Sequence, residues 1–327
     1  FVYPGFNDAH CHFNGYGNNL MQYADLRGTE STEDIYAILK KHHETFGGDW
    51  VLGRSWDQND WEVKEFPTKE KLDVLFPNTP IAVRRVDGHA LLANQAAIDL
   101  ADVTVNSPEK GGFILKENGK LTGVFIDGPM SLIGSKIPQP SLYEITQALQ
   151  DAEKIWFDLG LTTVDDAGLY KEVIHLIDSL QKANELKMKI YAMVSVSDKN
   201  IDYFTQKGII KTDRLHVRSF KVYGDGALGS RGAAMRESYT DRNNHFGALI
   251  YSPERYREMA EQIAASEYQM NTHAIGDSAN HAVLNIYKNV LGGKKDRRWR
   301  IEHAQVISPD DFELFDDIIP SVQPTHA

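Results

Sequence analysis

The chain has one cysteine, Cys11, so no internal disulfide can form, which fits a reducing compartment and makes the cytoplasm the expected location. No run of 18 apolar residues is present, which leaves no transmembrane helix in the sequence. The opening FVYPGFNDAHCHF lacks a basic stretch followed by an apolar one, so no signal peptide is expected there. Positive charge is in deficit: 35 Lys and Arg face 46 Asp and Glu, a formal net charge of −11. Such a surface repels polyphosphates and anionic headgroups, so neither nucleic acid nor membrane is an expected partner. A Gly-X-Ser-X-Gly elbow and a Gly-X-X-X-X-Gly-Lys phosphate loop are both missing, as is any low-complexity segment. What remains is 327 residues with 42% hydrophobic and 25% charged positions, the balance of an ordinary globular protein with a large core.

From about residue 141 onward, strand-length apolar runs alternate with helix-period segments, the pattern of βα units on a parallel sheet. SLYEITQALQDAEKIWFDLG places Ile145, Leu149, Ala152, Ile155, Trp156 and Leu159 at helical spacing. Ser252-Pro253 and Ser308-Pro309 each combine an N-cap with proline at the first helical position. The strand-like runs are DAHCHF, LTTVDDAG, KIYAMVSV, FKVYGDG, MNTHAIGD, RIEHAQ and SVQPTH, seven in all. Several intervals are near thirty residues, the repeat of a (β/α)8 barrel, in which every strand's C-terminal end points to one mouth. The first interval is far longer and predicts an insertion at 47–140, with PIAVRRVDG as a strand and FILKENGKLTGVF as a hairpin turning at Asn118-Gly119. The expected organisation is 1–46 as first barrel strand and helix (TEDIYAILKKHHETFG), 47–140 as an insertion of mixed α/β structure, and 141–327 as barrel units two to seven.

In a strand, alternate side chains share a face, so His10 and His12 point together while Cys11 points away. Two imidazoles at that spacing can meet one ion, although an isolated His-X-His is more often only a polar strand end. Lys221 lies between Phe220 and Val222, where an ammonium is costly to bury and demands a reason. One reason is an ion pair or a snorkelling side chain. The other is a depressed pKa: a neutral amine can react with carbon dioxide, and the resulting carbamate has two oxygens, each able to hold a metal ion. His273 and His303 occupy equivalent places near the ends of the next two strands. Either alone reads as a core or surface histidine, but strands one, four, five and six each bring a candidate to the mouth where barrel active sites are built.

PGFNDAHCHF, GRSWDQNDW, RRVDGHALLANQAA, KVYGDGALGSRGAA, NTHAIGD and RIEHAQ together resemble the amidohydrolase superfamily across nearly the whole chain. The resemblance is to its amidohydrolase-3 branch, that of YtcJ-like proteins and N-substituted formamide deformylases. It implies a distorted TIM barrel with the insertion over its mouth. It also implies two divalent ions, usually zinc, on His10, His12, His273 and His303, with Lys221 as the N6-carboxylated bridge. The family's reaction is attack of metal-activated water on an amide, formamide or related carbon–nitrogen bond other than a peptide bond. Its acid/base aspartate closes strand eight, so that residue, the eighth strand and a small β-sandwich are expected outside residues 1–327. Weaker substrate-side candidates are Trp56, His89, Asp225, on the same strand face as Lys221, and Arg231, which could bind a substrate carboxylate. Alternatives are a mononuclear deaminase-like enzyme or a catalytically silent binding or regulatory protein. The expected partners are a small-molecule substrate and, for a homodimer, a second copy of the chain.

Overall fold

A computed structural model describes residues 2–324, and these divide into two compact units. The first comprises residues 2–21, 140–224 and 251–324; the second comprises 22–139 and 225–250.

The first unit holds seven parallel strands in sequence order: β1 (Phe6–Cys11), β2 (Leu161–Leu169), β3 (Lys189–Ser195), β4 (Leu215–Tyr223), β5 (Gln269–Ala274), β6 (Arg300–His303) and β7 (Ile319–Ser321). A two-residue strand, Ile210–Lys211, adds an antiparallel pairing to β4. All seven strands fall on the seven runs read from the sequence, and together they form a nearly closed, distorted TIM barrel. β5 is buried along its whole length, as expected for a strand covered on both faces.

Flanking helices start where capping chemistry directs. Ser141 and Glu144 form a reciprocal capping box for Leu142–Asp158, and Ser252 caps Pro253–Ala264 with proline in the first turn. The buried face of Leu142–Asp158 is Ile145, Ala148, Leu149, Ala152 and Trp156; Ile155 and Leu159 are exposed, contrary to the sequence reading. At 100° per residue, Ile155 lies about 80° from the centre of that stripe, and Leu159 is already the C-cap. The Ser308-Pro309 signal opens a 3-10 segment, Pro309–Phe315, without a side-chain cap bond, instead of an α-helix.

The second unit is built on a six-stranded sheet ordered Tyr23–Asp25, Val51–Trp56, Ile81–Arg85, Ala90–Ala93, Lys120–Asp127 and Gly112–Glu117. Alternation sends Val51, Ile81, Val83, Leu92 and Val124 to one apolar cluster and Leu52, Ala82, Leu91, Ala93 and Phe125 to the other. Both faces are therefore covered. Helix Thr32–Phe46, read from sequence as the first barrel helix, buries Ile35, Tyr36 and Leu39 in the first of these clusters. The expected hairpin forms at Asn118-Gly119, with φ of 49° and 75°, values that suit Asn-Gly in a tight two-residue turn. The segment 225–250, which follows β4, also belongs to this unit. Among the described residues no helix is long and apolar enough to cross a membrane.

Candidate metal centre

The register of the first unit brings the sequence-predicted ligands to one end of the sheet. Tyr223 pairs with His273, His273 with Glu302, and Ala274 with His303, while β4 sets Lys221 opposite Ser195 and Asn271. His12 follows directly on β1 and precedes the helix Phe13–Gln22. The imidazoles run ring to ring: His12 to His10 at 5.6 Å, His10 to His303 at 4.7 Å, and His303 to His273 at 4.6 Å between centroids. Lys221 is 1% exposed, and its Nζ stands 4.8 Å above the Tyr223 ring, which itself lies 5.6 Å from the His273 ring. All five candidates on the barrel strands thus belong to one cluster.

His10 is held in a defined orientation. Its Nδ1 lies 2.6 Å from Glu302 Oε2, and Glu302 has no exposed side-chain surface. Its Nε2 is buried without a partner. Nitrogen donors left bare in a protein interior are uncommon and call for an explanation. His303 Nδ1 is likewise engaged, 2.6 Å from Gln323 Oε1. His303 has φ of 75°, a left-handed value that is strained for a residue with a Cβ and that concentrates at functional sites.

Charge in the cluster follows from burial and close pairing. Burial holds Lys221 down to about 8 against the opposing pull of Glu302 and Asp166. It also lowers His303 to about 3, helped by the charges of His10 and Lys221. Burial lowers His10 as well, with the Glu302 bond opposing. His10 and His303 are therefore neutral, the form that binds metal. Burial alone would raise Glu302, but the bond to His10 and the charge of Arg300 hold it at about 2. The thiol of Cys11 is pushed up by burial, which rules out a thiolate nucleophile.

The donor set fits divalent metal: four imidazoles, of which His10 and His303 are held neutral and His10 keeps an orphaned buried nitrogen, beside a buried amine that can be neutral. Among the described residues, however, no three His, Cys, Asp or Glu side chains form a preassembled ligand group. Carboxylation of Lys221 would add the oxygens that such a count leaves out.

Four charged residues of the cluster were not singled out in the sequence. Arg300 Nη1 lies 3.1 Å from Asp165 Oδ2, and Arg300 Nε lies 2.7 Å from Glu302 Oε1. Asp165 is raised to about 6, by burial against Arg300. Asp166 Oδ2 accepts the Asn14 N–H at 2.9 Å and so caps the helix that follows His12. Each stands inside an apolar strand run, the signal that marked Lys221.

Burial raises Asp166 to about 7. From about pH 4 to 7 the folded chain then keeps a proton that the unfolded chain releases, so this group's contribution to stability falls as pH rises through that window. Asp166→Asn is expected to flatten that part of the profile and to raise the melting temperature by a few degrees at pH 8. Melting curves from pH 4 to 8 check this, and parallel profiles for the two proteins would refute it.

The weaker candidates all fall in the second unit. Trp56 is fully buried in its core and donates its indole N–H to Val83 O at 3.2 Å, which leaves it no surface for a ligand. His89 Nδ1 lies 2.6 Å from Asp127 Oδ1, and this bond holds His89 above its ordinary pKa although burial opposes it. β4 ends at Tyr223, so strand alternation does not carry on to Asp225; that residue is fully buried and accepts the Ala234 N–H at 2.9 Å. Arg231 does meet a carboxylate, that of Asp241 at 2.6 Å, and also donates to Gly229 O. A Cβ at Gly226 or Gly232 would collide with the Asp127 carboxylate, which accounts for glycine at both positions. Arg85, buried between Asp57, Gln58 and Asp87, accounts for much of the GRSWDQNDW and RRVDG motifs as scaffold.

Histidines and a buried lysine thus gather at one end of the parallel strands, the kind of place where barrel active sites are built. A family model described as amidohydrolase family matches residues 1–325, and the chain belongs to that family. It is 30% identical to the YtcJ protein of Bacillus subtilis (strain 168), covering 95% of this chain and 60% of that protein. It is 24% identical to the N-substituted formamide deformylase of Arthrobacter pascens, over 93% of this chain and 58% of that one. An uncharacterized metal-dependent hydrolase from Pyrococcus horikoshii OT3 shares the fold, with a TM-score of 0.72 and 24% identity over 98% of this chain and 62% of its own. The chain thus spans about 60% of the length of the curated relatives it matches.

Proposed function

We propose that this chain carries the metal-binding face of a hydrolase that uses metal-activated water to cleave a carbon–nitrogen bond, amide or formamide in kind and other than a peptide bond, in a small molecule. The observation that carries the reading is His10, oriented by Glu302 through Nδ1 and left with a bare buried Nε2, in contact with His303 and His12. His10, His12, His273 and His303 would hold two divalent ions, zinc being the metal expected, with Lys221 as the bridge after carboxylation. When bound, the ions acidify a water and polarise a carbonyl oxygen.

Lys221 is prepared for that role. With a pKa of about 8, about a tenth of it is neutral at pH 7, against well under about 0.1% for an ordinary lysine. The amine lone pair attacks the carbon of CO2, the nitrogen releases a proton to solvent, and one negative charge spreads over two oxygens. A buried cation thereby becomes a buried anion with two donor atoms, which suits neighbouring divalent ions. The neutral imidazoles of His10 and His303 need shed no proton to bind.

The name of the formamide deformylase and the family description support the bond type. The natural protein containing this chain, supplied with zinc and bicarbonate, is expected to release amine from members of a panel of N-formyl and N-acyl compounds, and a chelator should stop it. Turnover of esters alone, or turnover that survives chelation, would contradict the reading.

A further inference from the structure

We propose that Glu302, braced by Arg300, is a positioning residue that fixes the tautomer and orientation of His10, a role that rests on the metal-centre reading above. Strict strand alternation would send Glu302 and His303 to opposite faces. The left-handed backbone at His303 breaks that alternation, and both side chains reach His10, Glu302 by a 2.6 Å bond to Nδ1 and His303 by a ring contact.

Arg300 supplies the brace. Its Nη2 donates to Glu302 Oε2 at 3.1 Å, to Ala9 O at 2.8 Å and to Ser321 Oγ at 3.0 Å, while Nη1 donates to Asp165 Oδ2 at 3.1 Å. One guanidinium therefore ties β1, β2, β6 and β7, including the first and last strands of the sheet path. The carboxylate it holds is the one that orients His10.

A fold that needed only stability would do as well or better with apolar side chains here, since an ion pair taken out of water recovers little of its desolvation cost. A carboxylate with no exposed surface, bonded to the nitrogen opposite a bare donor, has the form of an outer-shell partner that fixes a metal-binding imidazole. The predicted tautomer is specific: the proton sits on Nδ1, and the Nε2 lone pair is free for metal.

Two measurements test this, neither of them an activity. Nitrogen-15 ring shifts of His10 in the metal-free wild type should show the Nδ1-protonated form, and the opposite tautomer would overturn the proposal whatever the variants do. Zinc affinity, read by competition with a chromophoric chelator, should fall about 10- to 100-fold in Glu302→Ala. Glu302→Gln, which keeps an acceptor for His10, should restore most of it. A folded Glu302→Ala protein with wild-type affinity and an unchanged His10 tautomer would overturn the proposal while leaving the metal centre intact. A wild type that binds no zinc would overturn both together.

Discussion

Lys221→Ala is expected to lose most bound metal and, with it, hydrolysis, the largest functional effect of any substitution at this site. Lys221 is 1% exposed and its ammonium is disfavoured there, whereas its carbamate would present two oxygens to the imidazoles. Lys221→Arg should fail equally, because a guanidinium stays charged and cannot be carboxylated. Because truncating a buried side chain leaves a cavity, the melting curves of the metal-free wild type and alanine proteins establish that the variant is folded before its metal content is read. Short carboxylic acids, which fit the vacated space and present two oxygens, should restore part of the metal content and activity. Elemental analysis of the variant decides the matter: unchanged metal content would remove Lys221 from the ligand set.

Trp56→Ala should have the largest effect on stability, about 3–5 kcal/mol, a large fraction of what holds an ordinary domain together. The indole is fully buried, lies 6.1 Å from the Trp61 ring and 6.2 Å from the Phe66 ring, and satisfies the Val83 carbonyl. Its removal leaves a cavity and removes a buried hydrogen bond to the Val83 carbonyl in the core of the second unit. Denaturant unfolding should show an earlier midpoint for this variant, whereas a pocket-wall residue would change substrate affinity and leave the midpoint in place.

The barrel was legible because its strands are short apolar runs at a regular interval, and each of the seven runs overlaps its strand, the last, SVQPTH, only at Ser321 of β7. The positions of the candidate ligands follow the same runs: His10, Lys221, His273 and His303 stand at or near their ends. Glu302 was not, because an alternation rule assigns it to the face opposite His303, against the positive φ of His303; Arg300, Asp165 and Asp166 carried only the signal of a charge within a strand run, and their pairings are set by tertiary contacts. The face of Asp225 was not readable by alternation either, because β4 ends at Tyr223. The make-up of the second unit was only partly visible, since residues 225–250 join it through tertiary contacts and glycine clearances that leave no periodic trace. The aspartate expected beyond residue 327 lies outside the described residues.

The most direct test of the account is the metal stoichiometry of the natural protein purified with bicarbonate and zinc. About two zinc ions per chain are expected, falling to about one or none when Lys221 is replaced by alanine. A wild-type protein that, after zinc supplementation, holds less than about one ion per chain would contradict the binuclear centre on which the functional reading stands.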